Sequence, residues 1–167
     1  ALNLYAFQDY ISEDSLNLAL RRFVQDWSLP AGKPTADRYA TTDDLLGYFR
    51  EVTPDSLQYL VTDLFETVTL SDIKIVDGSF VASSTGSFKV ELTVEAHKFR
   101  VNEEGVSIPV TPNDWIDIGI YGHDQNGADS LLYLKKHLFS ELATTLNIDV
   151  AGLPVSAEID PGHLLID

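Results

Sequence analysis

Between Gly86 and Gly122 the sequence reads GSFKVELTVEAHKFRVNEEGVSIPVTPNDWIDIGIYG, and no other stretch limits the fold as strongly. Phe88, Val90, Leu92, Val94 and Ala96 fall on one face of an extended chain, with Lys89, Glu91, Thr93, Glu95 and His97 on the other. That is the period-2 pattern of a strand with one buried and one wet face. Ile116, Ile118 and Ile120 alternate in the same way against Trp115, Asp117, Gly119 and Tyr121. A β-sheet is built on these two strands. No enzyme site emerges from them.

Upstream the period is helical. Residues 1–10 form a sticky lead-in with Leu2, Leu4, Tyr5, Phe7 and Tyr10. Ser12 is placed to cap a first helix, with Glu13 and Asp14 in its first turn. Leu16, Leu20, Phe23 and Trp27 make its apolar face, and Pro30 ends it. Residues 30–40 read as a loop. Thr41 with Asp44 resembles a capping box for a second helix carrying Leu45, Leu46 and Phe49. Thr53-Pro54-Asp55 then predicts the start of a third, striped by Leu57, Leu60, Val61, Leu64 and Phe65.

From Thr67 onward β-branched and aromatic residues take over. The spacing predicts a strand over 68–76 with a bulge, a turn at Asp77-Gly78, and a short strand over 79–82 closed by Ser83-Ser84-Thr85-Gly86. Later segments place Leu132, Leu134 and Leu138 on one face, and Leu142, Thr144, Leu146, Ile148 and Val150 on another. A last strand carries Val155, Ala157 and Ile159, and Leu164, Leu165 and Ile166 then call for a packing partner. The fold class read from this order is α+β and multi-domain. A short helical segment of three helices over 1–66 is followed by an antiparallel β-sandwich over 67–167, with about seven strands.

Charge narrows the partners. Eleven Lys and Arg face 26 Asp and Glu, a formal net charge of -15. Such a field repels nucleic-acid phosphates and anionic lipid surfaces, so no nucleic acid is expected as a partner. No apolar run approaches the roughly 20 residues of a membrane-spanning helix, so no direct membrane insertion by this segment is expected. Cysteine is absent, which removes disulfide and thiolate chemistry. The start at ALNLYAF without Met, and the close at PGHLLID, give the working expectation of a piece of a longer chain.

Motifs of catalysis are missing: there is no HExxH, Walker loop, GxGxxG, GxSxG or EF-hand pattern. His97, His123, His137 and His163 never lie three or four residues apart, so no local metal pair forms, and His97 and His137 sit on expected wet strand faces. His123, Asp124 and Asp129 make an acidic loop whose oxygens suit calcium, against the plainer reading of a solvated turn. Asp114 and Asp117 flank Trp115 and offer a paired-carboxylate reading, against one in which Asp114 caps a turn through backbone N–H groups. Asp160-Pro161 marks a further structural turn. Trp115 and Tyr121 on one face, with His123, Asp124 and Asp129 at its end, form a candidate interaction surface.

The runs VTPDSLQYLVTDLFETVTL (52–70), KVELTVEAHKF (89–99), NDWIDIGIYG (113–122) and AEIDPGHLLID (157–167) resemble the C-terminal part of bacterial M1-type (gluzincin) aminopeptidases. The closest subset is the one associated with ABC-transporter permease-like membrane proteins. The resemblance implies that 11–66 are the last helices of a thermolysin-like catalytic domain and 67–167 the β-sandwich after it. It implies zinc in the parent protein and a parent associated with a membrane. The family's zinc ligands have no counterpart here, and no motif promotes Tyr39, Tyr48 or Tyr59 to its assisting tyrosine. No cofactor and no catalytic or metal residue is therefore assigned to this segment.

Three readings follow. The first is a non-catalytic portion of a zinc aminopeptidase that buttresses the upstream catalytic domain of the same polypeptide. The second is a free-standing β-sandwich protein-binding module that uses Trp115, Tyr121 and the acidic loop 123–129. The third is a small hydrolase whose site forms only in three dimensions.

Overall fold

The computed structural model describes residues 2–28, 39–84 and 86–165. Pro30 as a helix stop, most of the loop 30–40, Thr85 in its turn and Ile166 lie outside the described residues. The chain divides into two compact units, Ala1–Val68 and Thr69–Asp167.

The first unit is helical: α1 (Leu2–Ile11), α2 (Glu13–Trp27) and α3 (Thr42–Val52). The lead-in is thus a helix. Its apolar residues run almost all the way round, so no stripe announces it; Ala6, Phe7 and Ile11 are buried, and the Phe7 ring meets Phe49 and Phe65 at 5.3 and 5.4 Å. Ser12 caps α2 by accepting from Ser15 N–H, and Thr41 with Asp44 closes a reciprocal capping box on α3. Phe7, Leu16, Ala19, Leu46, Phe49, Leu60 and Val61 share one core. Tyr48 is buried in it as well, and its hydroxyl donates to Asp26 at 2.6 Å.

A regular third helix from Thr53 is not formed. Thr53 ends α3 instead, its hydroxyl donating to the Phe49 carbonyl four residues back at 2.6 Å. Residues 55–66 then wind as a 3-10 turn (Asp55–Leu57), one α-turn (Tyr59–Val61) and a π-turn (Thr62–Glu66). Gln58 bridges the break: its amide donates to the carbonyls of Arg50, which also accepts from Thr53 N–H, and of Thr53. Arg50 then reaches Thr62 and Glu66.

The second unit has seven strands among the described residues: β1 (Val68–Ser84), β2 (Ser87–Val101), β3 (Ser107–Val110), β4 (Asp114–His123), β5 (Asp129–Phe139), β6 (Ala143–Val150) and β7 (Leu153–Ile159). They form two antiparallel sheets. In one, β2 is central, with β1 as a neighbour; β6 pairs along Phe88–Glu95 and β3 along Lys98–Val101. In the other, β4 lies between β5 and β7. Val90, Leu92, Val94 and Ala96 of β2 and Ile116, Ile118 and Ile120 of β4 enter a single core with Phe139, Ile148 and Val150.

Three expectations change in this unit. The strand β1 runs straight through Asp77-Gly78 rather than turning there, because β2 pairs alongside and Leu92 lies over the Gly78 backbone. Leu132, Leu134 and Leu138 do not share a face. The ladder between β4 and β5 shifts at Ile120/Tyr121, where Leu132 is the extra residue; Leu132 packs on the core, whereas Leu134 and Leu138 are exposed. Val155 leaves its expected face for a similar reason. A second shift at Tyr121/Gly122 makes it the extra residue of β7, exposed beside core-packed Ala157 and Ile159. Gly122 is required at that crowded point, since a Cβ there would stand 2.1 Å from the Leu153 carbonyl oxygen.

Candidate functional site

Strand parity settles what each side chain of β4 can do. The buried isoleucines occupy even positions, so Trp115, Asp117, Gly119, Tyr121 and His123 point to the opposite, outer face. Across the ladder Trp115 faces Leu138, Asp117 faces Lys136, Gly119 faces Leu134 and Tyr121 faces Leu131. Directly opposed residues share a face. The outer surface of β4 and β5 is therefore apolar and aromatic, interrupted by one ion pair between Lys136 and Asp117. Trp115 is 38% exposed, Leu138 40%, Leu131 46% and Leu134 48%.

Gly119 shapes the middle of this surface. The Tyr121 ring and Pro161 lie 3.2 and 3.3 Å from where its Cβ would stand, so the tyrosine lies down on the sheet. Pro161 is held there by the closing turn. Asp160 N–H donates to the Asp117 carbonyl at 2.9 Å, and the Asp160 carboxylate accepts from Leu165 N–H at 2.7 Å. Asp160 and Pro161 thus serve as a structural turn that seats Leu164 in a buried position.

At the end of β4, His123 Nδ1 lies 2.9 Å from an Asp129 carboxylate oxygen. Tyr121, His123, Asp129, Leu131, Val155 and Ser156 border a shallow depression of about 350 Å³. The structure brings Trp115, Tyr121, His123 and Asp129 to one face. Asp124 does not join them. Its Oδ1 accepts from Asn126 N–H at 2.8 Å and Ala128 N–H at 3.0 Å, and these bonds, that from Ala128 foremost, hold its carboxyl below the usual range. An oxygen engaged in this way builds the hairpin turn and not a chelate. Among the described residues no group of three or more His, Cys, Asp or Glu is placed to hold a metal ion.

The paired-carboxylate reading of Asp114 and Asp117 is overturned by the same parity. Asp114 lies on the inner side and Asp117 on the outer, and each has its own lysine. Lys98 Nζ donates to Asp114 Oδ1 at 2.7 Å, with side chains only 7% and 14% exposed. Asp114 does accept one backbone N–H, from Asn113 at 3.1 Å, but its main partner is this buried cation from the other sheet. Lys98 was detectable in principle, because it continues the inner parity of Val90 to Ala96. His137 also departs from its expected wet face. It opposes buried Ile116, is bonded to the Tyr133 hydroxyl at 2.9 Å, and burial followed by nearby Lys135 lowers its pKa.

No protein-family model matches the chain, and no characterised protein matches it either. The likeness to M1-type aminopeptidases rests on the sequence phrases quoted above. Among the described residues no helix is long and apolar enough to cross a membrane.

Proposed function

We propose that this chain is a non-catalytic interaction module of β-sandwich form, which binds a folded protein through the outer face of β4 and β5. The sandwich reading is supported by the single core that both sheets fill. One observation carries the functional reading: a central strand and its neighbour place Trp115, Tyr121, Leu131, Leu134 and Leu138 on one outer face, with Trp115 and the three leucines exposed. Aromatic and aliphatic side chains concentrated in this way are favoured at protein interfaces, and the polar Asp117–Lys136 pair would set register within them.

The family resemblance supplies one partner of that kind, the upstream catalytic domain of a zinc aminopeptidase on the same polypeptide. In that case the face buttresses its own chain, the zinc and its ligands lie elsewhere, and any membrane association belongs to the parent. A photo-crosslinking residue at Leu134 of the full encoded protein tests both forms, with Glu91 on the outer face of β2 as control. A discrete adduct from Leu134 but not from Glu91 is the expected result. An intramolecular adduct, together with an HExxH upstream of Ala1, assigns the buttress. An intermolecular adduct assigns the free-standing module. Equal or absent labelling at the two positions removes the proposal.

A further inference from the structure

The strand edges of the β-unit are not equally protected. Sheet edges with free N–H and C=O groups recruit further strands unless charge, proline or a bulge blocks them. Pro109 sits in β3, Lys135 and Lys136 in β5, and Pro154 with the Val155 bulge in β7. Two edges lack such protection over a stretch. Among the described residues β1 and β6 are each hydrogen-bonded to β2 alone, and neither Gly78–Ser83 nor Ala143–Ile148 contains a charge or a proline. β1 is singled out by the apolar cleft beside it. Phe80 and Val81 are 49% and 63% exposed.

A cleft of about 260 Å³ opens beside this edge, between the two sheets. Ile75, Phe80, Leu92, Ile120, Val155 and Ala157 line it, and no lysine or arginine does. Phe80 is braced by an edge-on contact with Phe88 at 5.8 Å. A strand added to β1 would turn alternate side chains into the cleft and the others to water, the usual division of labour in strand addition.

Charge selects the occupant. Residues 69–167 hold fifteen acidic side chains against six basic, and Lys74, Lys98 and Lys136 are already paired with Glu95, Asp114 and Asp117. Asp77, exposed on β1, directly precedes the cleft-lining Gly78. Two copies of this acidic unit would repel one another, which opposes pairing of β1 with itself. We infer that the edge of β1 over Gly78–Ser83, with its adjoining cleft, is a strand-addition site for an extended peptide alternating apolar and basic residues. This surface is separate from the outer face of β4 and β5.

The test is NMR titration of the isotope-labelled chain with an end-capped peptide of alternating lysine and valine. A glutamate–valine peptide and a peptide with the lysines and valines in separate blocks are the controls. Shifts should centre on the amides of Ser79–Ser83 and Val155–Ala157 with the alternating basic peptide only. Ser79→Lys combined with Val81→Lys should weaken binding about tenfold by placing charge on the edge. Asp77→Lys, which also removes the bond from Gly78 N–H to the Asp77 carboxylate, should weaken it about fivefold at an unchanged denaturation midpoint. Equal binding of all three peptides, shifts confined to the Trp115 face, no shift at all, or dimerisation through β1 without peptide would each overturn the inference.

Discussion

β2 and β4 look alike in sequence, and inside the protein they are alike. Each is the central strand of its sheet, and each sends a run of aliphatic side chains into the shared core. Their outer faces differ. β2 shows water Glu91, Thr93, Glu95 and His97, whereas β4 shows Trp115 and Tyr121 in a field of leucines from β5. The core is satisfied equally by both arrangements, so folding does not require the second one. An apolar outer face beside a polar one is an expense of solubility that core packing does not explain, and the proposed binding role rests on it.

The largest effect should come from the place where the two strands are joined. Lys98→Ala leaves Asp114 as an uncompensated carboxylate between the sheets and should cost about 3 to 5 kcal/mol, read as a shift of the urea midpoint. Replacing both, as Lys98→Met with Asp114→Leu, should recover most of that loss. If the single variant is as stable as the parent, the pair is solvated and the shared interior is less dry than its exposure values indicate.

A smaller effect separates the outer faces. Leu134→Ser and Leu138→Ser should each change stability by about 1 kcal/mol or less. The double variant should nevertheless bind less of a hydrophobic fluorescent dye, while Glu91→Ser and Thr93→Ser leave dye binding unchanged. Large destabilisation by Leu134→Ser would show that this face supports the fold, and the contrast with β2 would collapse.

The smallest effect is a pH dependence. Burial and Lys135 lower the pKa of His137 below its usual 6.5, so the folded chain holds the neutral ring more firmly than the unfolded chain does. The unfolded state then binds more protons between the two pKa values. Stability from this group is fully present above about pH 6.5 and declines as pH falls through the folded value. His137→Gln should flatten that slope in denaturation series at about pH 7.5 and pH 5. An unchanged slope would place the His137 ring in water, as its strand position alone suggested.

Much of the fold was legible because its determinants are local. The caps at Ser12 and Thr41 need only a side-chain oxygen a few residues from a free N–H. The strands over 87–101 and 114–121 need only alternation. The helix at Leu2–Ile11 was not legible, because a segment apolar all round carries no direction until Phe49 and Phe65 are placed against it. The candidate surface was half legible. Strand parity groups Trp115 with Tyr121, and the adjoining loop adds His123 and Asp129, but Asp124 is bound into its turn, and of the β5 leucines Leu132 departs from the face that Leu134 and Leu138 share.

The sequence by itself determined the period of each segment, the helix-to-strand change near Thr67, the strong negative charge and the absence of a local catalytic motif. Tertiary structure alone decided which side chains meet. A single extra residue, Leu132 in β5 and Val155 in β7, reverses the parity of everything beyond it, and a bulge depends on the partner strand. Lys98 and Asp114 lie 16 positions apart on strands of different sheets, and no local pattern pairs them. The same holds for the apolar outer face, which exists only because β5 lies beside β4.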